Sequence, residues 1–258
     1  MNKFFKYIND EISYIKPNFI NEERIIIGFS TRKNKNNYNF DLGYNTKESQ
    51  KNREIFFKYF NINYDEVIGG EQIHSNKIEI ITEKKKGIIS KEDLIKGVDG
   101  FITNKKEIPL SIRTADCIPV VIFDDDYNIL SLLHCGWRSI VKDIFNQAVN
   151  ILINKFNIKT EKLKIILGAG ICQNCFEVNE DVFLIFKNKF NNYEEFSQEI
   201  GKKYYIDLKK IIIREAERLN IKSENIFNLN ICTKEDELFF SYRRDKKVQS
   251  LITFGMLK

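Results

Sequence analysis

The chain has 258 residues, 43% hydrophobic and 30% charged, which is enough apolar material for a sizeable core and unlike a disordered or fibrous composition. Its 41 basic and 36 acidic side chains leave a formal net charge of +5, scattered along the length without the basic, aromatic-interleaved stripe that tracks nucleic acid. No stretch reaches the roughly 18 apolar residues of a membrane span, and Asp10 and Glu11 interrupt the start before it forms a secretory apolar region. Five cysteines, an odd number without dense spacing, point to free or metal-bound thiols and a reducing, cytoplasmic address. The short run Glu83, Lys84, Lys85, Lys86 reads as a solvated face.

In chain order, residues 2–15 read as an amphipathic helix or an N-terminal arm within residues 1–20, and Arg24–Ser30 as a first, β-branched strand. A polar loop, Thr31–Asn45, leads to Thr46, which suits the cap of a helix over Lys47–Phe60. Strand-like runs follow at Val67–His74, Lys77–Thr82, Gly97–Thr103, Ile108–Arg113, Cys117–Phe123 and Tyr127–His134. Over Ser139–Phe156 the apolar residues Ile140, Val141, Ile144, Phe145, Ala148, Val149, Leu152 and Phe156 keep the period of a helix lying on a sheet. Leu163–Leu167 is a strand ending at Gly168-Ala169-Gly170, which is no dinucleotide fingerprint because Gln173 stands where a third glycine is needed. Helices at Asn179–Lys189 and Asp207–Leu219 precede strands at Ile226–Asn230, Leu238–Tyr242 and Val248–Phe254. With three prolines, no repeat and no linker, the expectation is one α+β domain over residues 1–258, its sheets covered by helices.

Only two histidines are present, His74 and His134, and Cys117 lies between them. Two neutral imidazoles and a thiolate suit zinc or copper, and three protein ligands leave a position open for water or substrate, as in catalytic zinc sites. Strand alternation puts Gln72 and His74 on one face, and turns His134 away from Cys135, which then fills a gap as a small buried hydrophobe. Asp116, beside Cys117, suits a base or a partner to a ligand, and Gly136-Trp137-Arg138 suits a binding wall. The same residues admit two other readings: a metal-free hydrolase or amidase with Cys117 as nucleophile and His134 as base, or a non-catalytic metal-binding protein. Only the metal site needs His74 as well. Cys172-x-x-Cys175 fits a redox pair, half of a zinc site or an ordinary thiol pair near a turn, and no second CxxC completes it; for Cys232 a buried structural role is the default.

Several blocks then combine: Thr31-Arg32, Asp41-Leu42-Gly43, Gln72-Ile73-His74, Asp99–Thr103, TADCIPVVIFD, HCGWR, GAGICQNCFEV and CT followed by FFSYRRD. Together they resemble the YfiH family, the laccase-domain or multicopper polyphenol oxidase-like purine nucleoside phosphorylases, from about residue 24 to the C-terminus. The resemblance implies a layered α/β/β/α sandwich with mixed sheets and a zinc held by His74, Cys117 and His134. It also implies phosphorolysis of adenosine, inosine, guanosine and methylthioadenosine, with adenosine deamination beside it. The partners are then purine nucleosides and phosphate, and the chain a monomer or small homo-oligomer. Copper-dependent phenol oxidation ranks lower, because two histidines cannot build a multinuclear copper cluster.

For phosphate, Arg32, Arg138, Arg243 and Arg244 are the candidates in matching blocks, since a guanidinium fork binds two oxygens at once; Arg113 adjoins the TADC run, and Arg243 and Arg244 suit structural ion pairs equally well. Gln72 and Asp116 are expected to touch substrate or orient a ligand, with Asp116 the candidate for proton transfer. The chain departs from the family at Lys33-Asn34-Lys35-Asn36, where a glycine-rich segment is usual, and at Cys135 and Ser139, which occupy small-residue positions.

Overall fold

The apolar run after Cys117 is buried on both faces, and two sheets and their helices are arranged around it. The computed structural model describes residues 3–36, 39–84, 87–88 and 90–258, so Met1 and Asn2 of the arm, Asn37 and Tyr38 of the polar loop, and Lys85 and Lys86 of the charge run lie outside the described residues. Strands β1 (Phe5–Asn9), β2 (Ile12–Pro17) and β3 (Ile25–Asn34) precede helix α1 (Lys47–Tyr59). There follow β4 (Gly70–Glu71), β5 (Ile78–Ile81), β6 (Ile95–Lys96), β7 (Gly100–Thr103), β8 (Leu110–Thr114), β9 (Ile118–Asp124) and β10 (Leu130–Cys135). Next come α2 (Trp137–Val141), α3 (Ile144–Phe156), β11 (Leu163–Leu167), β12 (Glu177–Val178), α4 (Glu180–Lys189), β13 (Ser197–Ile200) and β14 (Lys203–Ile206). The chain closes with α5 (Leu208–Arg218), β15 (Ile226–Asn228), α6 (Tyr242–Asp245) and β16 (Leu251–Leu257).

A five-stranded antiparallel sheet has the order β1-β2-β3-β16-β8, and a six-stranded mixed sheet the order β15-β11-β9-β10-β7-β5. In the second, β15 runs parallel to β11 and β5 parallel to β7, while the central pairs are antiparallel. Alternation along β9 divides the interior: Val121 and Phe123 pack between the sheets against Phe29 and Ile112, whereas Val120 and Ile122 face α3 and α5 through Leu152 and Ile212. On the far side of the first sheet, Phe56 and Phe57 of α1 pack on Ile252 and Phe254, each phenyl contributing roughly 1.5–3 kcal/mol by burial. Helix, sheet, sheet and helix are therefore stacked in the α/β/β/α order that the resemblance implies. Thr46 caps α1 as expected, its side chain accepting from the Ser49 N–H. No helix among the described residues is long and apolar enough to cross a membrane.

Several elements differ from the sequence expectation. Of the two expectations for residues 2–15, the helix is not found and the arm takes the form of the β1–β2 hairpin over residues 5–17, because Ile12, Tyr14 and Ile15 are buried by pairing beside β3, a tertiary gain that local periodicity does not register. The helix expected over Ser139–Phe156 breaks into α2 and α3 at Asp143, which adopts φ +66°, a left-handed conformation that aspartate tolerates better than most residues. Leu238–Tyr242 is no strand; Phe239 and Phe240 are buried as a turn, and Ser241 caps α6 by accepting from the Arg244 N–H. Only Gly70–Glu71 of the run to His74 is a strand, and β13 and β14 form a hairpin where the sequence pattern suggests no strands.

Candidate active site

His134 is the penultimate residue of β10, Cys117 immediately precedes β9, and His74 sits in the loop between β4 and β5 with φ +59°. The expected strand face shared by Gln72 and His74 is thus absent: a left-handed turn, not alternation, aims His74 inward. Sγ of Cys117 and one ring nitrogen from each histidine all lie within 4.8 Å of one another, with Cys117 Sγ 3.7 Å from His74 Nε2. His134 is buried and points between the sheets, while Cys135 faces the helical core, as alternation requires.

Asp99 organises both histidines. Its Oδ1 accepts from the backbone N–H of His74 (3.0 Å) and lies 2.8 Å from His134 Nδ1, while Oδ2 accepts from the N–H groups of Ile73 and Ser75 and from the Ser75 hydroxyl. This leaves His134 Nε2 as the ring atom turned to the cluster, the arrangement by which carboxylates orient metal-binding histidines. The carboxyl is fully buried, yet the His134 and Ser75 hydrogen bonds outweigh burial and keep it below the usual carboxylate range. Lys142, at the break between α2 and α3, donates to the His74 carbonyl and steadies the same loop. Asp99 lies in the DGFIT block, but its role depends on contacts 25 and 35 residues distant in sequence, which no local pattern carries.

The space between the ligands is closed by a glycine. A Cβ on Gly136 would stand 2.5 Å from His74 Cδ2 and 3.0 Å from Cys117 Sγ, so any side chain would displace the cluster. Burial alone would push the Cys117 thiol up, but the His134 and His74 imidazoles overcome it and bring the value down to about 6. Burial would likewise depress His134, but the Cys117 thiolate and Asp99 raise it to about 9. A buried thiolate among imidazoles, with an anionic partner behind one ring, is a donor set suited to zinc or copper.

The cluster opens into a cavity of about 550 Å³, within the range that holds small-molecule ligands. Trp137, Ile171, Phe176 and Tyr242 supply apolar surface, and Arg113, Arg138 and Arg243 bring positive charge. Grooves of about 630 and 750 Å³ elsewhere lie between helices and loops, and neither includes a residue of the His-Cys-His cluster.

The other expected site residues separate into two groups. Asp116, with φ +100°, lines the cavity, but its two carboxylate oxygens accept from the Thr233 hydroxyl and the Arg243 N–H, each at 2.7 Å, so it joins the cluster to the C-terminal segment. Gln72 also lines it, exchanging hydrogen bonds with both the N–H and the carbonyl of Arg113 like a strand partner. Arg138 is exposed at the cavity, its guanidinium 4.2 Å above the Trp137 ring and without a hydrogen-bond partner among the described residues. Arg243 donates to the carbonyls of Cys175 and Glu177 beside Phe176. Arg32 and Arg244 are not among the residues that line the cavity: Arg32 pairs with Asp245, and Arg244 donates to Asp245 and to the carbonyls of Thr233, Lys234, Asp236 and Phe239.

A family described as multi-copper polyphenol oxidoreductase laccase matches residues 26–257. The chain is 31% identical over 249 residues to a purine nucleoside phosphorylase of Staphylococcus epidermidis, covering 90% of this chain and 91% of that protein. It is 28% identical over 188 residues to an adenosine deaminase, RL5, from an unknown prokaryotic organism, covering 71% of each. Among solved structures, a Bacillus licheniformis hypothetical protein, YfiH, superposes with a TM-score of 0.90 over 98% of this chain and 99% of that one, at 21% identity, which establishes the fold.

Proposed function

The chain belongs to this multi-copper polyphenol oxidoreductase laccase family, and on that premise we propose that it is a zinc-dependent purine nucleoside phosphorylase with adenosine deamination as a second activity. The observation that carries the reading is the His74, Cys117 and His134 cluster, ordered by Asp99 and opening into an arginine- and aromatic-lined cavity.

His74, Cys117 and His134 would hold the ion, which when bound supplies a Lewis acid with a position open to water or substrate. Trp137, Phe176 and Tyr242 offer faces against which a purine can lie, and Arg138 offers a planar fork to phosphate. In phosphorolysis a phosphate oxygen bonds to ribose C1′ as the C–N bond breaks, its electron pair leaving with the base, which takes up a proton. Asp116 would act as a positioning residue, holding the segment that carries Arg243. Adenosine, inosine, guanosine and methylthioadenosine are the proposed substrates. Oxidation of phenols by a single copper ranks below this chemistry, since the cluster has two imidazoles and one thiolate. The five free cysteines are in keeping with a reducing, cytoplasmic address.

A second reading has specific support in the lowered Cys117 thiol beside a raised His134, the pairing of a metal-free cysteine hydrolase or amidase. One experiment separates the two. Metal content is measured, and adenosine and inosine are followed by chromatography with and without phosphate, for the wild type, His74→Ala and Cys117→Ser. Phosphate-dependent release of free base that both substitutions abolish supports the phosphorylase; full activity in His74→Ala or after stringent metal removal rejects it.

A further inference from the structure

Behind the cavity wall formed by Ile171 and Phe176, a second group of ligating side chains converges. Sγ of Cys172, Cys175 and Cys232 and a carboxylate oxygen of Glu235 all lie within 4.8 Å of one another. Cys172 and Cys175 Sγ stand 3.6 and 3.3 Å from Glu235 Oε1, and the Cys172 N–H points at Cys232 Sγ, 3.3 Å away. A tetrahedral ion with metal–sulfur bonds of about 2.3 Å needs ligand atoms about 3.8 Å apart, so small side-chain adjustments close such a shell.

The spacing has the same form twice. Cys172-x-x-Cys175 and Cys232-x-x-Glu235 each present two ligands from one tight turn, the arrangement of structural zinc sites with a carboxylate in the fourth place. The Cys175 and Phe176 N–H groups return to the Cys172 carbonyl, and the Asp236 N–H to the Cys232 carbonyl, so both turns are closed. The two segments are paired at Gly170 and Cys232, with the Thr233 N–H donating to the Gly170 carbonyl. Buried Lys209 donates to the Ile231 carbonyl next to this pairing and so helps to hold the second segment in place. A disulfide would use two of the sulfurs and leave the third cysteine and Glu235 without a role.

We propose that Cys172, Cys175, Cys232 and Glu235 bind a second zinc ion, distinct from the His-Cys-His cluster, that clamps residues 170–178 to residues 231–237. Four protein ligands leave no open position, so the site is structural; binding replaces the three thiol protons, which pass to solvent. Its consequence for the cavity is mechanical: one clamped segment carries Ile171 and Phe176, and the other carries Thr233, which holds Asp116.

The test counts metal, not turnover. Full-length His74→Ala/Cys117→Ser protein, loaded with zinc and desalted, is expected to retain one zinc per chain by mass spectrometry and to lose it when Cys175→Ser and Cys232→Ser are added. Zinc-free background protein, or zinc that survives loss of both cysteines, overturns the proposal. Because the added substitutions can impair folding, the wild type gives a second reading. Alkylation of Cys172, the least buried thiol of the three, should be slowed at least about tenfold by zinc and restored by a chelator; an unchanged rate overturns the site, as does recovery of a Cys172–Cys175 disulfide from zinc-loaded protein prepared anaerobically.

Discussion

Asp99 Oδ1 lies 2.8 Å from Nδ1 of His134 and accepts the His74 N–H through the same atom, so one buried carboxylate sets the ring of one histidine and the backbone of the other. Asp99→Asn keeps the shape but replaces one accepting oxygen with an NH2 group that meets donors. Zinc affinity at the His-Cys-His cluster is expected to fall about 10–100-fold, and stability by roughly 1–3 kcal/mol. Chelator competition monitored alongside thermal unfolding checks both; unchanged affinity would show that Asp99 does not position the ligands.

Gly136→Ala tests the tightness of the cluster from the opposite side. The added methyl meets His74 Cδ2 at 2.5 Å and Cys117 Sγ at 3.0 Å, so the ligand side chains must shift to admit it. The expected cost is about 1–3 kcal/mol of overpacking, with weaker metal binding in a chain that still folds. Metal content after dialysis and a circular dichroism melt measure the two effects. Wild-type metal retention would mean that the ligands approach less closely than the geometry requires.

How legible the site was depends on the range of the contacts. His74, Cys117 and His134 stand out because histidine is scarce here and each lies in a distinctive block, and the strands β9 and β10 follow from apolar runs. The turn that aims His74 inward does not follow, since its φ is sustained by Asp99 and Lys142 from other parts of the chain. Arg32 and Arg244 show the converse limit. A guanidinium in a matching block looks the same whether it faces phosphate or holds carbonyls, and only the packing around Asp245 decides. Glu235 is silent in the sequence because Cys232-x-x-Glu235 does not have the form of a second CxxC.

The Cys117 and His134 shifts have a consequence at measurable pH. In metal-free protein the Cys117 thiol is brought down to about 6 by the two imidazoles, so its thiolate is present above that pH and lost as the pH falls through it. Alkylation of Cys117 should therefore rise with pH around a midpoint near 6, far below the ordinary thiol value of about 8.5. His134, held up to about 9, retains its proton through neutrality and must release it to ligate, so zinc affinity is expected to strengthen as the pH rises from 6 towards 9. Peptide mass mapping of alkylation against pH is the check, and a midpoint above 8 would refute the pairing.

Arg138 and Arg244 provide the sharpest contrast, because they share a side chain and differ in what it touches. Arg138 is exposed at the cavity, with the Trp137 ring beneath its guanidinium and no hydrogen-bond partner for that guanidinium among the described residues. Arg138→Ala is expected to raise the KM for phosphate at least about tenfold, the loss of a charge-assisted hydrogen-bonded pair, while leaving Tm nearly unchanged. Arg244 instead donates to four backbone carbonyls and to Asp245, so Arg244→Ala removes partners from the segment that caps the cavity. Partial exposure lets water replace some of them, and the expected cost is roughly 1–3 kcal/mol, or about 2–4 °C in Tm for each kcal/mol in a chain of this size. Initial rates against phosphate concentration and thermal unfolding of both variants separate the roles. If Arg244→Ala raised the phosphate KM at unchanged Tm and Arg138→Ala did the reverse, the assignment of phosphate to Arg138 would fail, because the guanidinium tied to Asp245 would then be the one that substrate meets.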